Sequence, residues 1–276
     1  MSRSGCLAVF RGILLAWVAL FIVVAQSPAL ALKLKISEVL PRLWHGWCRR
    51  ILGMDVEVRG SPLVSGPALF VSNHISYLDV TAIGSVVDGS FVSRADVRDW
   101  PIFGFLSRLQ KTVFIERRPR YARQQMLELS GRLGSGDRLI LFPEGTSSDG
   151  NMILPFKSTL FAVAETQVDG RSIPVQPISI AYTRLDGFPL GRLLRPIYAW
   201  YGDMEFAPHF WQLLGYGRFR VEITIHDPVR FEDFETRKVL AEYCEQIVVR
   251  GFSQSLSGRP TNAIQSESRL TVSSAA

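Results

Sequence analysis

The chain has 276 residues, 47% of them hydrophobic and 20% charged, enough to bury a full core and near the upper size for one domain, so one main domain with appendages is expected. Its charge of +6, from 31 Lys and Arg against 25 Asp and Glu, favours anionic partners: nucleic acid, acidic lipid or phosphorylated substrates. Three cysteines, Cys6, Cys48 and Cys244, odd in number and far apart, argue against a disulfide framework and a CxxC-type zinc site, and point to a reducing compartment for the main domain.

From Gly12 to Leu32 the run GILLAWVALFIVVAQSPALAL carries no charge, and about 20 residues at ~1.5 Å each cross the ~30 Å hydrocarbon core of a bilayer. A membrane helix is expected there. A cleaved signal peptide is the alternative: Arg3 and Arg11 give a basic start, Ile13 to Ala25 an apolar middle, and Ala29-Leu30-Ala31 a small-residue cleavage pattern. The next segment, LKLKISEVLPRLWHGWCRRILG, sets Leu40, Trp44, Trp47 and Ile51 at helical spacing among Arg42, Arg49 and Arg50, as an amphipathic interfacial helix would. Packing of that stripe on the protein's own core fits the periodicity equally well. Lys33, Lys35 and Arg42 after the apolar run place the domain beyond a spanning helix in the cytoplasm.

Past residue 54 short strand patterns alternate with helix patterns. Strands are predicted at 55–59, 68–72, 90–93, 112–116, 138–142, 176–181 and 220–225, and helices at 78–85, 102–109, 122–133, 158–166 and 238–252. The alternation indicates an α/β domain over 55–252, a mixed sheet flanked by helices, preceded by the membrane helix and amphipathic helix of 1–54. Residues 253–276, Ser-rich and polar, are expected to be a disordered tail.

In open α/β sheets ligands bind where strands end in loops. The strand ends here collect Asn73 and His74, Arg117 and Arg118, and Pro143-Glu144-Gly145-Thr146, while the last apolar run carries Pro174 and Pro177. A histidine titrating near neutrality can take a proton from an alcohol if a neighbour fixes its tautomer. Asp79 can be that neighbour only if His74 lies in the loop and Asp79 in the first helical turn, since five residues on one helix separate side chains by about 140°. Ser76 to Asp79 is an S-x-x-D capping signature that supplies this bend. Taken alone, the same residues describe an ordinary helix cap, and Arg117, Arg118 and Arg120 a solvated basic patch.

Together the blocks say more. NHISYLD (73–79), FIER (114–117), FPEGTSS (142–148) with the following LPFK (154–157), and IPVQPI (173–178) resemble, in order and spacing, the four signature blocks of the lysophosphatidic acid (1-acylglycerol-3-phosphate) acyltransferase family of glycerolipid acyltransferases. The resemblance implies that His74 is the general base and Asp79 its orienting carboxylate, that Arg117 binds the acceptor's head group, that Glu144, Gly145 and Thr146 line the acceptor pocket, and that Pro177 shapes the acyl or acceptor site. The donor is a thioester, acyl-CoA or acyl-acyl-carrier protein; the acceptor is a lysolipid in the bilayer, with the catalytic domain on the cytoplasmic side. No cofactor, metal or nucleic-acid partner is expected: no GxSxG, HExxH or Cys/His cluster is present. Backbone N–H groups at the helix start after His74 are the expected oxyanion donors.

One departure bears on the acceptor. Where the family's third block reads FPEG followed by Thr, Arg, Ser, this chain has Ser147 in the arginine's place, removing a bidentate phosphate contact. Arg118 or Lys157 would substitute, or the acceptor lacks phosphate, as in the sister branch of lyso-ornithine lipid acyltransferases, which DWPIFGFLSRLQKTVFIER also resembles. With Arg117 in place, lysophosphatidic acid is the first expectation and lyso-ornithine lipid the second. A non-catalytic lipid-binding membrane protein would need the anchor and basic groove without the His/Asp pair.

Overall fold

The computed structural model describes residues 3–116 and 121–258. Its helices are α1 (Gly5–Ala31), α2 (Ile36–Leu52), α3 (Leu78–Gly84), α4 (Phe103–Leu109), α5 (Ala122–Gly134), α6 (Phe206–Leu214) and α7 (Arg237–Ser257). The strands are β1 (Met54–Gly60), β2 (Ala68–Ser72), β3 (Ser90–Arg94), β4 (Val113–Ile115), β5 (Arg138–Leu141), the short pair β6 (Gln167–Val168) and β7 (Arg171–Ser172), β8 (Val175–Leu185), β9 (Phe188–Pro189) and β10 (Phe219–Ile225). The main sheet runs β1-β10-β8-β2-β5-β3-β4, with β9 paired to β8. From β8 to β4 neighbouring strands are parallel, whereas β10 is antiparallel to β8 and β1 parallel to β10. The sheet is therefore mixed, as the sequence predicts.

The centre explains the pattern of the sequence. All five residues of β2, ALFVS, are buried, because a parallel strand between two others is covered on both faces and reads as a continuous apolar run. Alternate residues serve opposite cores. Phe70, Ile140, Ile180 and Val221 pack with Leu78 and Ile83 of α3 and Leu213 of α6. Leu69, Val71, Leu139 and Leu141 pack with Leu133 of α5 and Leu240 and Val248 of α7.

Several predicted elements change, and β8 runs on to Leu185, four residues past its expected end. Residues Ser158–Glu165 form a 3-10 helix where an α-helix was expected, and α7 continues to Ser257, five residues into the expected tail; residues 259–276 lie outside the described residues. The two-residue strands are too short to carry a periodicity that could be read in advance.

The N-terminal helices are part of the domain's architecture. The Arg11 guanidinium of α1 donates to the carbonyls of Leu214 (3.1 Å) and Tyr216 (2.6 Å) at the C-terminal end of α6, and the Ser4 N–H donates to Gly215 O at 3.0 Å. Near the other end, the Gln26 amide donates to Ser37 O (2.9 Å) and to Leu109 O on α4 (3.0 Å). Held at both ends, α1 lies along the domain over about 40 Å, and its outward residues Phe10, Ile13, Trp17, Leu20, Phe21 and Val24 are each more than half exposed. By length and composition α1 could cross a membrane.

In α2 the orientation differs from the interfacial expectation. Leu40, Trp44 and Trp47 pack on Ile22 and Ala25 of α1, so the tryptophan stripe joins the two helices, and Ile36, Val39 and Leu43 are the exposed apolar residues. Helix α2 also covers α3: the His45 ring lies where a side chain on Gly84 would sit.

Arg11→Met keeps the buried stem but leaves the carbonyls at the end of α6 without their donor. A loss of about 1–3 kcal/mol is expected, read as a lower Tm together with faster proteolysis within α1; unchanged values would show that α1 is held by its apolar contacts alone.

Candidate active site

Strands β2 and β5 are adjacent and parallel, so their C-terminal ends open on the same side, while β8 runs on past both. Immediately after β2, the Asn73 side chain donates to Ile180 O (3.0 Å) and accepts from Ile180 N–H (2.9 Å). This pins the end of β2 to β8 and fixes where the chain leaves the sheet. The backbone of the next residue is held from the β5 side: His74 N–H donates to Glu144 Oε1 (2.7 Å), and His74 O accepts from Ser148 N–H (2.9 Å). The His74 ring stacks on Phe142, centroids 4.2 Å apart and planes within 17°.

Asp79, in the first turn of α3, is fully buried, while the His74 side chain retains 22% exposure. Its Oδ2 accepts from His74 Nδ1 (2.9 Å), Ile75 N–H (2.6 Å) and Ser76 N–H (2.9 Å), and its Oδ1 from the Tyr182 hydroxyl (2.7 Å). The carboxylate thus reaches back over the helix start, as the S-x-x-D pattern requires. Only that half of the capping box is made, since Ser76 Oγ has no partner among the described residues. With Asp79 as acceptor, Nδ1 of His74 carries the proton and Nε2 presents its lone pair, a tautomer assigned from its partner.

The third block builds the wall beneath this pair. Glu144 is buried; besides His74 it accepts from Leu154 N–H at 2.8 Å, so both oxygens hold backbone. Burial pushes its carboxyl up to about 8, the two N–H donors opposing the rise and the Asp79 and Glu245 charges adding to it. Gly145, at φ 70°, makes the turn that donates back to Phe142 O at 3.0 Å, and Thr146 is exposed. The Ser147 hydroxyl donates to Trp200 O. Lys157 is exposed, its N–H on Pro143 O at 2.9 Å. Arg117 and Arg118 lie outside the described residues.

Other expectations shift. Pro177 is buried within the sheet opposite Val71, and further along the same strand, beyond the fourth block, Tyr182 reaches Asp79. Its signal was one tyrosine closing an aliphatic strand. The Ile75 and Ser76 N–H groups, expected to serve an oxyanion, are directed at Asp79. The segment 198–211 packs on the start of α3: Tyr77 meets Phe206 at 4.8 Å between centroids and bonds His209 Nδ1 at 2.9 Å, and Trp200 N–H donates to Ile75 O at 3.0 Å. It forms an aromatic wall beside the catalytic loop.

Chemically the pair can act as a base: His74 Nε2 makes no bond among the described residues, and the ring is steadied by a carboxylate with four donors. Cys48 and Cys244 are buried with thiols raised by that burial, Cys244 to about 12, which rules them out as nucleophiles at neutral pH. Among the described residues no group of three His, Cys, Asp or Glu could hold a metal.

Comparison with known proteins agrees with this geometry. A model of the Acyltransferase family matches residues 55–181. A lyso-ornithine lipid O-acyltransferase of Rhizobium meliloti is 38% identical over 260 residues, covering 93% of this chain and 89% of that protein. A 1-acyl-sn-glycerol-3-phosphate acyltransferase of Neisseria gonorrhoeae is 26% identical over 198 residues, covering 71% and 73%. The crystal structure of the 1-acyl-sn-glycerophosphate (LPA) acyltransferase PlsC from Thermotoga maritima superposes with a TM-score of 0.60 at 23% identity, covering 93% of this chain and 97% of that one, and shares the fold.

Glu144 makes stability depend on pH. A carboxyl raised from 4.5 to about 8 holds, when folded, a proton that the unfolded chain has released. Its contribution is complete below about 4.5 and fades as pH climbs to about 8. The Tm of the solubilised wild type is expected to fall from about pH 5 to about pH 8 more steeply than that of Glu144→Gln; parallel slopes would refute the assignment.

Proposed function

The chain belongs to the acyltransferase family, and we propose that it moves a fatty acyl group from a thioester donor to the free hydroxyl of a lyso-ornithine lipid. The observation that carries the acceptor is Ser147. Its hydroxyl is spent on Trp200 O, so the third block offers no guanidinium to a phosphate, and a relative named for lyso-ornithine lipid matches this chain at 38% identity over nearly its whole length. This reverses the order of expectation from the sequence, where Arg117 put lysophosphatidic acid first.

In the reaction His74 Nε2 takes the proton of the acceptor hydroxyl as its oxygen attacks the thioester carbonyl. Asp79 stabilises the resulting imidazolium and holds its tautomer, and Tyr182 fixes Asp79. As the tetrahedral intermediate collapses, the carbon–sulfur bond breaks and His74 returns the proton to the leaving thiolate. The donor is acyl-CoA or acyl-acyl-carrier protein. The acceptor arrives from the bilayer, met by the exposed stripe of α1 with Phe105 of α4 and Trp211 of α6 on its flanks. Because α1 is tied to the domain at both ends, we read it as lying against the membrane with the catalytic domain on the cytoplasmic side.

Membranes carrying the protein, offered labelled acyl-CoA or acyl-carrier protein with both acceptors, should label ornithine lipid in preference to phosphatidic acid. His74→Ala should lower transfer by about 100-fold or more. Label appearing mainly in phosphatidic acid would overturn the acceptor, and undiminished transfer by His74→Ala the base.

A further inference from the structure

The loop after Ser147 carries charges the reaction does not use. Asp149 Oδ1 accepts from Asn151 N–H (2.9 Å) and its Oδ2 from the Asn151 side-chain amide (3.0 Å). On the other side of that amide, Asn151 Oδ1 accepts from Arg195 Nη1 (3.3 Å), whose Nε donates to Leu190 O (3.3 Å). A carboxylate and a guanidinium are thereby held by one intervening amide without touching, their charges roughly 6–8 Å apart from two hydrogen bonds and an amide width. Both are half-buried, each Asp149 oxygen keeps a lone pair, and Arg195 Nη2 makes no bond among the described residues.

This pair borders the catalytic loop. Ser148, next to Asp149, holds His74 O, and Gly150, at φ 78°, passes so close that a side chain there would meet Ile75 at 3.3 Å and the stem of Arg195 at 3.8 Å. Two opposite charges kept apart and partly desolvated next to the loop of His74, with Arg192 within electrostatic reach of both, form a receptor for a ligand with the same two charges in reverse. A phosphate dianion would meet Asp149 as a like charge. Acylated ornithine offers a carboxylate and a side-chain ammonium a few carbons apart, and no phosphate.

Resting on the lyso-ornithine reading above, we propose that Asp149 and Arg195 select the acceptor by its head group, Asp149 taking the ammonium and Arg195 the carboxylate. Ser147 then completes the change of specificity by placing no guanidinium at its own position in the loop.

The test compares wild type, Asp149→Asn and Arg195→Gln on lyso-ornithine lipid, on the same lipid with its side-chain amine acetylated, and on lysophosphatidic acid. Asparagine can still accept from Asn151 N–H, so the loop turn is preserved. Asp149→Asn is expected to raise KM for lyso-ornithine lipid about tenfold or more with kcat little changed. The penalty that acetylation imposes on the wild type should shrink in this variant, which a merely structural role would not produce. Arg195→Gln should raise KM for both ornithine acceptors alike. Wild-type turnover of lyso-ornithine lipid with unchanged KM in both variants, or with the acetylation penalty undiminished in Asp149→Asn, overturns the head-group pair alone. Wild-type transfer to lysophosphatidic acid only overturns the acceptor assignment and the pair with it.

Discussion

The site depends on one buried carboxylate. Asp79 is withdrawn from water, which is costly for an anion unless hydrogen bonds replace its hydration. Four donors do so: two backbone amides at the helix start, the ring of His74 and the hydroxyl of Tyr182. They come from a loop and from β8, so the charge can be buried only when the end of β2, the start of α3 and the long strand β8 are all in position. A base held this way needs no rearrangement to accept a proton. The same interaction that compensates the buried charge sets the tautomer on which the chemistry relies.

Around that centre the backbone is locked from the opposite side. Asn73 ties the end of β2 to Ile180, and Glu144 grips His74 N–H while spanning to Leu154. Glu144 thus braces the turn that carries His74. The exposed apolar face of α1 connects through packing: α1 rests on α4 and α6, α2 joins α1 to α3, and α3 carries Asp79 in its first turn. That face and the turn after β2 belong to one stack of helices.

Much of this was legible because it is local. ALFVS predicts β2 to the residue, and S-x-x-D predicts that Asp79 points back toward the loop. What escaped is long-range. Tyr182 lies 103 positions from Asp79, and no periodicity announces that its hydroxyl turns inward. The tryptophans of α2 read equally as membrane anchors or as core, and only the presence of α1 beside them decided for packing. Nor does the fourth block announce that Pro177 pairs in the sheet opposite Val71.

Replacing an arginine by Ser147 would, by itself, only weaken phosphate binding. A guanidinium contributes both charge and a fork of donors, and its loss leaves an anionic acceptor under-bound without favouring any other. Discrimination needs a term that acts against the rejected ligand. Asp149 supplies one, two residues along the same loop: as an anion beside the cleft, it repels a phosphate and attracts an ammonium. Arg195, held to Asp149 through Asn151, supplies the opposite charge, so that a zwitterion is matched at both ends while a dianion is opposed at Asp149. One loop carries both the lost attraction and the gained repulsion, and the base that serves every acceptor alike is left untouched.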